Sequence, residues 1–394
     1  MSDDKSERQA PASGLPILFS QGGTDYLRLR KLEEGPFGEK LYLCRPRTGQ
    51  TYGALVELSV LGRQGRRIGH NRMREAARLG ALMSHPAIPR VHGQYTHRGT
   101  HYLITEYVSG ISMNMACSSA CVRERPLSES FILHVASRVA GVLSYVHGLT
   151  DAAGQPLGVI HRNVNPYTVI MRHDGEVMLA HFTSAFSRLP GREPTTTWKV
   201  RGELDFAAPE RLCRAGEDPV DDRSDLFSLG MVMLELATGE HLYHTEEVER
   251  AVAHHPSLPP GASECEGWES ESDSWTSVEE MARRAAAFRP EHIAHLTQAV
   301  SGPVRSILHK LLGRHPSQRY PTAAALQADL DACLAARTPS YGAREALAEL
   351  LEARADAEHS GSELFASDEA VRTAGEAHAL TEHELPRAPE VSAR

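Results

Sequence analysis

Residues 1–24 are polar and show no hydrophobic periodicity, so they read as a disordered leader. From about Tyr26 apolar and polar positions alternate in short runs, at 26–32, 40–44 and 52–60, with Gly- and Pro-containing turns between them. Alternation of period two marks half-buried strands. Met73, Ala76, Ala77, Gly80 and Met83 then recur at helical spacing. His85-Pro86 stops that helix, because the residue before a proline is pushed out of the α region. Strand-like runs at 91–95 and 101–108 complete a small β-rich unit spanning 25–110.

After Gly110 the period becomes helical. Ile132, Val135, Val139, Val142, Leu143 and Val146 mark one face of a long amphipathic helix. Short strands are predicted at 159–160, 168–171 and 177–180. Residues 226–236 are apolar nearly all round, which demands a helix buried on every side. Helical patterning resumes near Val278 and runs to Arg337, and one further amphipathic helix is predicted at 343–358. Residues 256–274 are turn-rich and acidic, which predicts a solvent-exposed insert; Trp268 and Trp275 leave a docking role open. The expected fold is α+β and bilobal: a small β-rich lobe at 25–110, a larger helical lobe at 111–336, a cleft between them, and an acidic tail at 337–394.

Composition removes several function classes. The 394 residues are 41% hydrophobic, ample for a packed core. The net charge of −9 weighs against nucleic-acid binding, and most of it is local, since 341–394 hold twelve acidic residues against five arginines. No window of ~18 apolar residues exists, so no membrane span is expected. The N-terminus has no apolar signal core and the six cysteines are scattered, which together suggest reduced thiols and a cytoplasmic location. Only Lys5, Lys31, Lys40, Lys199 and Lys310 are lysines among 42 basic residues. Genomic codon bias accounts for that, yet any chemistry requiring a lysine has few candidates.

A series of short motifs then falls in a fixed order. They are Glu33-Glu34-Gly35-Pro36-Phe37-Gly38, Glu75, Thr105-Glu106-Tyr107-Val108, His161-Arg162-Asn163-Val164-Asn165-Pro166, His181-Phe182-Thr183, Ala208-Pro209-Glu210, Asp225-Leu226-Phe227-Ser228-Leu229-Gly230 and Arg319. Across 25–336 this order resembles the eukaryotic-like (Hanks-type) bacterial Ser/Thr protein kinases. The resemblance implies a nucleotide cleft edged by Gly35, Gly38, Glu75, Thr105, Glu106 and Val108. It also implies a structural set. His161 and Phe182 would pack in the column joining the lobes, Asp225 would anchor the catalytic-loop backbone, and Glu210 and Arg319 would form a buried ion pair.

The departures concern chemistry. Phosphoryl transfer on this fold uses a third-strand lysine, a carboxylate beside the attacking hydroxyl, and an Asn and an Asp that hold Mg²⁺. No lysine lies between Lys40 and Lys199, and the third-strand position falls on Val56 or Leu55. Asn163 stands for the aspartate, Asn165 for the neighbouring lysine, Thr168 for the metal-binding asparagine and His181 for the metal-binding aspartate. No metal site and no resident cofactor are expected. Glu33 and Glu34 count against ATP as well, each by about 1 kcal/mol at ~4 Å even in high dielectric. His181 and His161 lack a third ligand and are not taken as a metal site. Lys40 is the one substitute for the lost lysine. Directly after Gly38-Glu39 its side chain would face the cleft and Glu75; with one residue inserted, Leu41 would face in and Lys40 out. Glu75 otherwise pairs with Arg72 or Arg78. Thr195, Thr196 and Thr197 fall where activation segments are phosphorylated, with Arg162 as a phosphate partner, or form an ordinary Thr-rich loop.

The expectation is therefore a non-enzyme, a pseudokinase serving as a scaffold or allosteric partner for protein partners such as an active kinase, in an oligomeric state the sequence does not specify. Two alternatives stand beside it. One is a protein Ser/Thr kinase or other nucleotide-dependent transferase with weak, unorthodox activity using Lys40. The other is a metal-independent nucleotide sensor.

Overall fold

The computed structural model describes residues 15–34, 40–62, 67–190, 204–213, 220–254 and 277–359. The acidic insert, its two tryptophans, and Thr195, Thr196 and Thr197 lie outside these residues.

The small lobe is a seven-stranded sheet of β1 (Ile17–Gln21), β2 (Thr24–Glu34), β3 (Lys40–Thr48), β4 (Thr51–Tyr52), β5 (Val56–Leu61), β6 (Val91–His97) and β7 (Thr100–Glu106). The strands run β1-β2-β3-β5-β7-β6, with β4 attached to β3. β1 corrects the reading of 1–24 as wholly disordered. Gly22 and Gly23, at φ of 58° and 80°, make a turn that only glycine takes readily, and it folds the Ile-Leu-Phe run back onto β2. Phe19 then stacks between Tyr26 and Tyr102, at centroid distances of 4.9 and 4.2 Å. That burial holds a strand whose sequence alone is too short to signal one.

The two faces of this sheet are chemically distinct. Phe19, Cys44, Val56, Leu58, Tyr102 and Ile104 form one apolar cluster on the outer face. Leu61 and Leu103 pack from the inner face on Met73 and Ala76 of α1 (Arg67–Gly80). The helix ends tightly against the sheet, since a Cβ on Gly80 would come 2.2 Å from a methyl of Val91.

The large lobe begins with β8 (Gly110–Ser112), α2 (Met113–Val122) and α3 (Glu129–His147). The predicted strands at 168–171 and 177–180 become β9 (Val169–Arg172) and β10 (Val177–Leu179), in a small antiparallel sheet ordered β10-β9-β8. The predicted strand at 159–160 is a single bridge between Ile160 and Phe186. α4 (Pro209–Leu212), α5 (Arg223–Thr238), α6 (Glu246–His254), α7 (Val278–Ala287), α8 (Pro290–Leu296), α9 (Gly302–Leu311) and α10 (Ala323–Arg337) follow. α5 is buried on all sides, as its pattern requires.

α11 (Ala343–His359) is an integral part of this lobe. Ala346, Leu350, Ala353 and Ala357 are buried, and the helix lies on α2 and α3. Ser128, which caps α3, donates its N–H and its hydroxyl to Glu349 at 2.6 and 2.7 Å. Among the described residues no helix is long and apolar enough to cross a membrane.

Candidate active cleft between the lobes

A cavity of about 380 Å³ opens between the lobes, within the range of small-molecule sites. Its roof comes from β5 and β7. Antiparallel pairing sets Glu57 opposite Thr105 and Ser59 opposite Leu103, and all four line the cavity. Val56, opposite Glu106, belongs instead to the outer cluster. This corrects the placing of the third-strand position on Val56 or Leu55: the inward positions of the strand are Glu57 and Ser59. The cause is the period-two alternation, in which Val56, Leu58 and Val60 take the apolar face. Glu57 was missed because motif position was favoured over that alternation, which was legible in the sequence.

The same register decides Lys40. It pairs with Val60 on β5, while Leu41 pairs with Ser59. Directly opposed residues share a face, so Leu41 lies on the cleft side and the exposed Lys40 on the outer side. Lys40 thus takes the outward alternative, and Glu75 bonds Arg78 at 3.3 Å. Gly35, Gly38 and the loop between them, with the side chains of Glu33 and Glu34, lie outside the described residues.

The hinge joins the roof to the large lobe. The N–H of Glu106 donates to the carbonyl of Arg90 at 2.8 Å, and its carboxylate accepts the N–H of Arg90 at 3.1 Å. Among the described residues the backbone N–H and C=O of Val108, which lines the cavity, carry no hydrogen bond. Those groups are available to the edge of a planar base, as is expected of a site that reads a ligand by its donors and acceptors.

On the floor, Asp225 is wholly buried in α5 and accepts the backbone N–H groups of His161 and Arg162 at 2.7 and 2.8 Å. His147 lies 2.9 Å from the same carboxylate. Burial opposes ionisation of Asp225, yet the His147 bond and the surrounding donors outweigh it and hold the carboxyl below its usual range. Burial pushes His161 down to about 4, so the ring is neutral. Its Nε2 lies 3.0 Å from the carbonyl of Ala180 and therefore carries the proton, while Nδ1 accepts the N–H of Asn163 at 3.2 Å. Phe182 meets His161 edge-on at 4.4 Å between centroids. Arg162 and His181 sit at φ of 66° and 63°, left-handed backbone that a side chain adopts only when its surroundings impose it. Deeper in the lobe, Arg319 grips both carboxylate oxygens of Glu210 at 2.7 Å.

Asn163, Asn165 and Thr168 bond to one another within the loop. Nδ2 of Asn165 donates to the side-chain oxygen of Asn163 at 2.9 Å. The side-chain oxygen of Asn165 accepts the N–H of Tyr167 at 2.8 Å, and the hydroxyl of Thr168 lies 2.9 Å from the carbonyl of Asn163. The catalytic loop is thus closed by neutral amides and a hydroxyl. Across the cleft, Nδ1 of His181 stands 4.0 Å from Oε1 of Glu57.

A magnesium ion takes oxygen ligands in near-octahedral geometry. The positions in question offer a hydroxyl already turned to a carbonyl and an imidazole, which is a poor fit. Among the described residues no group of three or more His, Cys, Asp or Glu side chains is arranged to hold a metal.

Residues 26–330 match the family model for the protein kinase domain. The chain is 27% identical to the tyrosine-protein kinase MasK of Myxococcus xanthus over 322 residues, covering 79% of this chain and 47% of that protein. It is 28% identical to the serine/threonine-protein kinase Tao of Drosophila melanogaster, covering 73% of this chain and 26% of that protein. It is also 28% identical to the serine/threonine-protein kinase PknB of Mycobacterium tuberculosis, covering 66% and 35%. The chain thus spans between a quarter and a half of the length of these relatives. These matches overturn the expectation of a non-enzyme: the matching family is that of the protein kinase domain, and each of these relatives is named a protein kinase.

Proposed function

The chain belongs to the protein kinase domain family, and on that premise we propose that it is a protein kinase of slow turnover with an unorthodox active site. Its cleft takes the base of a nucleoside triphosphate at the hinge, and its transfer chemistry rests on positioning. The observation that carries the reading is the catalytic loop itself. Asp225 holds the N–H groups of His161 and Arg162, and His161 packs on Phe182, so the loop backbone is held in one conformation. A scaffold of this kind is what a reaction governed by orientation requires. Phosphoryl transfer passes through a loose transition state in which the protein does little covalent chemistry.

The substitutions set the rate. A side chain acting as general base typically contributes ~10²–10⁴-fold, and the neutral amide of Asn163 gives that up. Ser59 in place of a cation forgoes electrostatic stabilisation worth roughly 10²–10³-fold. Lys40 does not restore it, because it lies on the outer side of the sheet.

The test is label transfer from γ-labelled ATP, with Mg²⁺ or Mn²⁺, to the chain itself and to a generic protein acceptor. Slow incorporation is expected, rising at least ~10-fold in Asn163→Asp, which restores the base. Absence of label from the wild type, and equally from a combined Ser59→Lys, Asn163→Asp and His181→Asp variant, would sink the kinase reading.

A further inference from the structure

An anionic ligand in this cleft needs a cation, and among the described residues the sheet contributes none to its lining. Among the described residues that line the cavity, Glu57 and Glu106 are carboxylates, His181 is an imidazole, and Arg354 is the sole arginine or lysine. Arg354 comes from neither β5 nor the catalytic loop. It stands in the C-terminal half of α11, a helix packed on α2, and lines the cavity together with Ser112, Asn114 and Met115 from the start of α2.

Its geometry suits a ligand contact. The helix beneath it is fixed by the buried Leu350, Ala353 and Ala357 and by the bonds of Glu349 to Ser128 and to the hydroxyl of Tyr341. Arg123, the residue that follows α2, adds an ion pair to Asp356 at 3.8 Å. The Arg354 side chain is 17% exposed, so most of its length is held against protein. Among the described residues its Nε donates to Glu358 at 3.0 Å, and its two terminal amino groups carry no hydrogen bond. A guanidinium anchored through Nε presents those two groups as a fork, the arrangement that meets phosphate or paired oxygens.

We propose that Arg354 is a ligand-binding residue of the cleft, delivered by the C-terminal helix to meet the sugar-phosphate part of a nucleotide whose base is held at the hinge. The inference rests on the nucleotide cleft of the kinase reading and not on turnover. It also makes the docking of α11 part of ligand binding: the helix that covers α2 and α3 carries the charge that β5 lacks. Ser112 and Asn114, which also line the cavity, are neutral and compatible with hydroxyls or phosphate.

The experiment is equilibrium binding of ATP, AMP and free adenine to the full chain, wild type against Arg354→Ala and Arg354→Lys, in EDTA and in Mg²⁺. Loss of a hydrogen bond to a charged group predicts roughly ten- to hundredfold weaker ATP and AMP for Arg354→Ala, with adenine changed less than about twofold. Arg354→Lys should recover part of the loss, as charge without the fork. Unchanged ATP affinity in Arg354→Ala overturns the proposal. So does an equal loss for adenine and ATP, which marks a merely structural role. The two readings fail separately. Arg354-dependent binding without label transfer removes the kinase reading and leaves this one. Label transfer indifferent to Arg354 does the reverse, and binding of neither ATP nor adenine removes both.

Discussion

Glu57 on β5 and His181 in the turn after β10 face each other across the cleft, Oε1 to Nδ1 at 4.0 Å. An acid thus enters from the small lobe, and a base stands at a position where the family resemblance implies a metal-binding aspartate. Glu57 places a carboxylate in the space an anionic ligand must approach.

Removing that charge should therefore favour nucleotides. One unit charge within ~4 Å is worth about 1 kcal/mol even in high dielectric, which is roughly fivefold in affinity. Glu57→Ala is expected to bind ATP about fivefold more tightly at low salt, with a smaller gain at high salt as screening grows. Calorimetric titration at two ionic strengths measures both. ATP affinity that is equal or weaker in the variant contradicts the role given to Glu57.

His161 makes stability pH-dependent. Its folded-state value, pushed to about 4 by burial, lies below the ordinary 6.5, so the unfolded chain takes the proton first. Stability is full above 6.5 and falls as pH drops from 6.5 to about 4, by roughly 3 kcal/mol from this residue. His134, pushed to about 4 chiefly by burial, adds to the slope in the same window. Urea denaturation between pH 7 and 4.5 should show this decline, and His161→Phe should remove part of it. An undiminished slope in that variant would count against a neutral, buried His161.

The Glu210–Arg319 pair is 3% and 0% exposed, and Arg319 also lies over the ring of Phe227 at 4.8 Å. Removing one member leaves a buried charge without its partner, at a cost of about 3–5 kcal/mol. Arg319→Ala should lower the melting temperature sharply, and Arg319→Lys should do so by less, since lysine keeps the charge and loses the bidentate grip. Melting followed by circular dichroism distinguishes them; equal, small shifts for both would show that the pair is not structural.

Gly110 begins β8 directly after the hinge. A Cβ there would stand 2.3 Å from the carbonyl oxygen of Met171, so the strand must move off β9 to accept one. Gly110→Ala is expected to lose about 1–3 kcal/mol, and to loosen nucleotide binding at the hinge by more than it alters distant packing. Denaturant midpoints alongside nucleotide titration would reveal both effects, and an unaffected midpoint would refute the close approach.

Much of the site was legible in order. The motifs at Thr105, His161, His181, Glu210, Asp225 and Arg319 led to the family and its fold, and residues 26–330 match the protein kinase domain. The apolar run at 226–236 announced a fully buried helix, and α5 is one. One assignment went astray for a physical reason that also decided between the two orientations left open for Lys40. Val56 was placed by motif position, whereas strand faces follow the pleat, and a register one residue different turns every side chain to the opposite side. The alternation of Val56, Leu58 and Val60 contained the correct answer for β5. Nothing comparable announced β1, whose few residues gain their stability from Tyr26 and Tyr102 across the sheet.

The sequence by itself determined the family, the order of lobes and helices, and the residue types present at Asn163, Asn165, Thr168 and His181. Tertiary structure decided what those groups touch. It turned Lys40 outward and Glu57 inward, closed Asn163 onto Asn165, set Glu57 against His181, and brought Arg354 to the rim of a cleft formed by residues far earlier in the chain. Residue types and local periods are properties of short windows, and a single chain displays them. Which face meets which neighbour depends on register and on packing between distant segments, and those exist only once the lobes are folded.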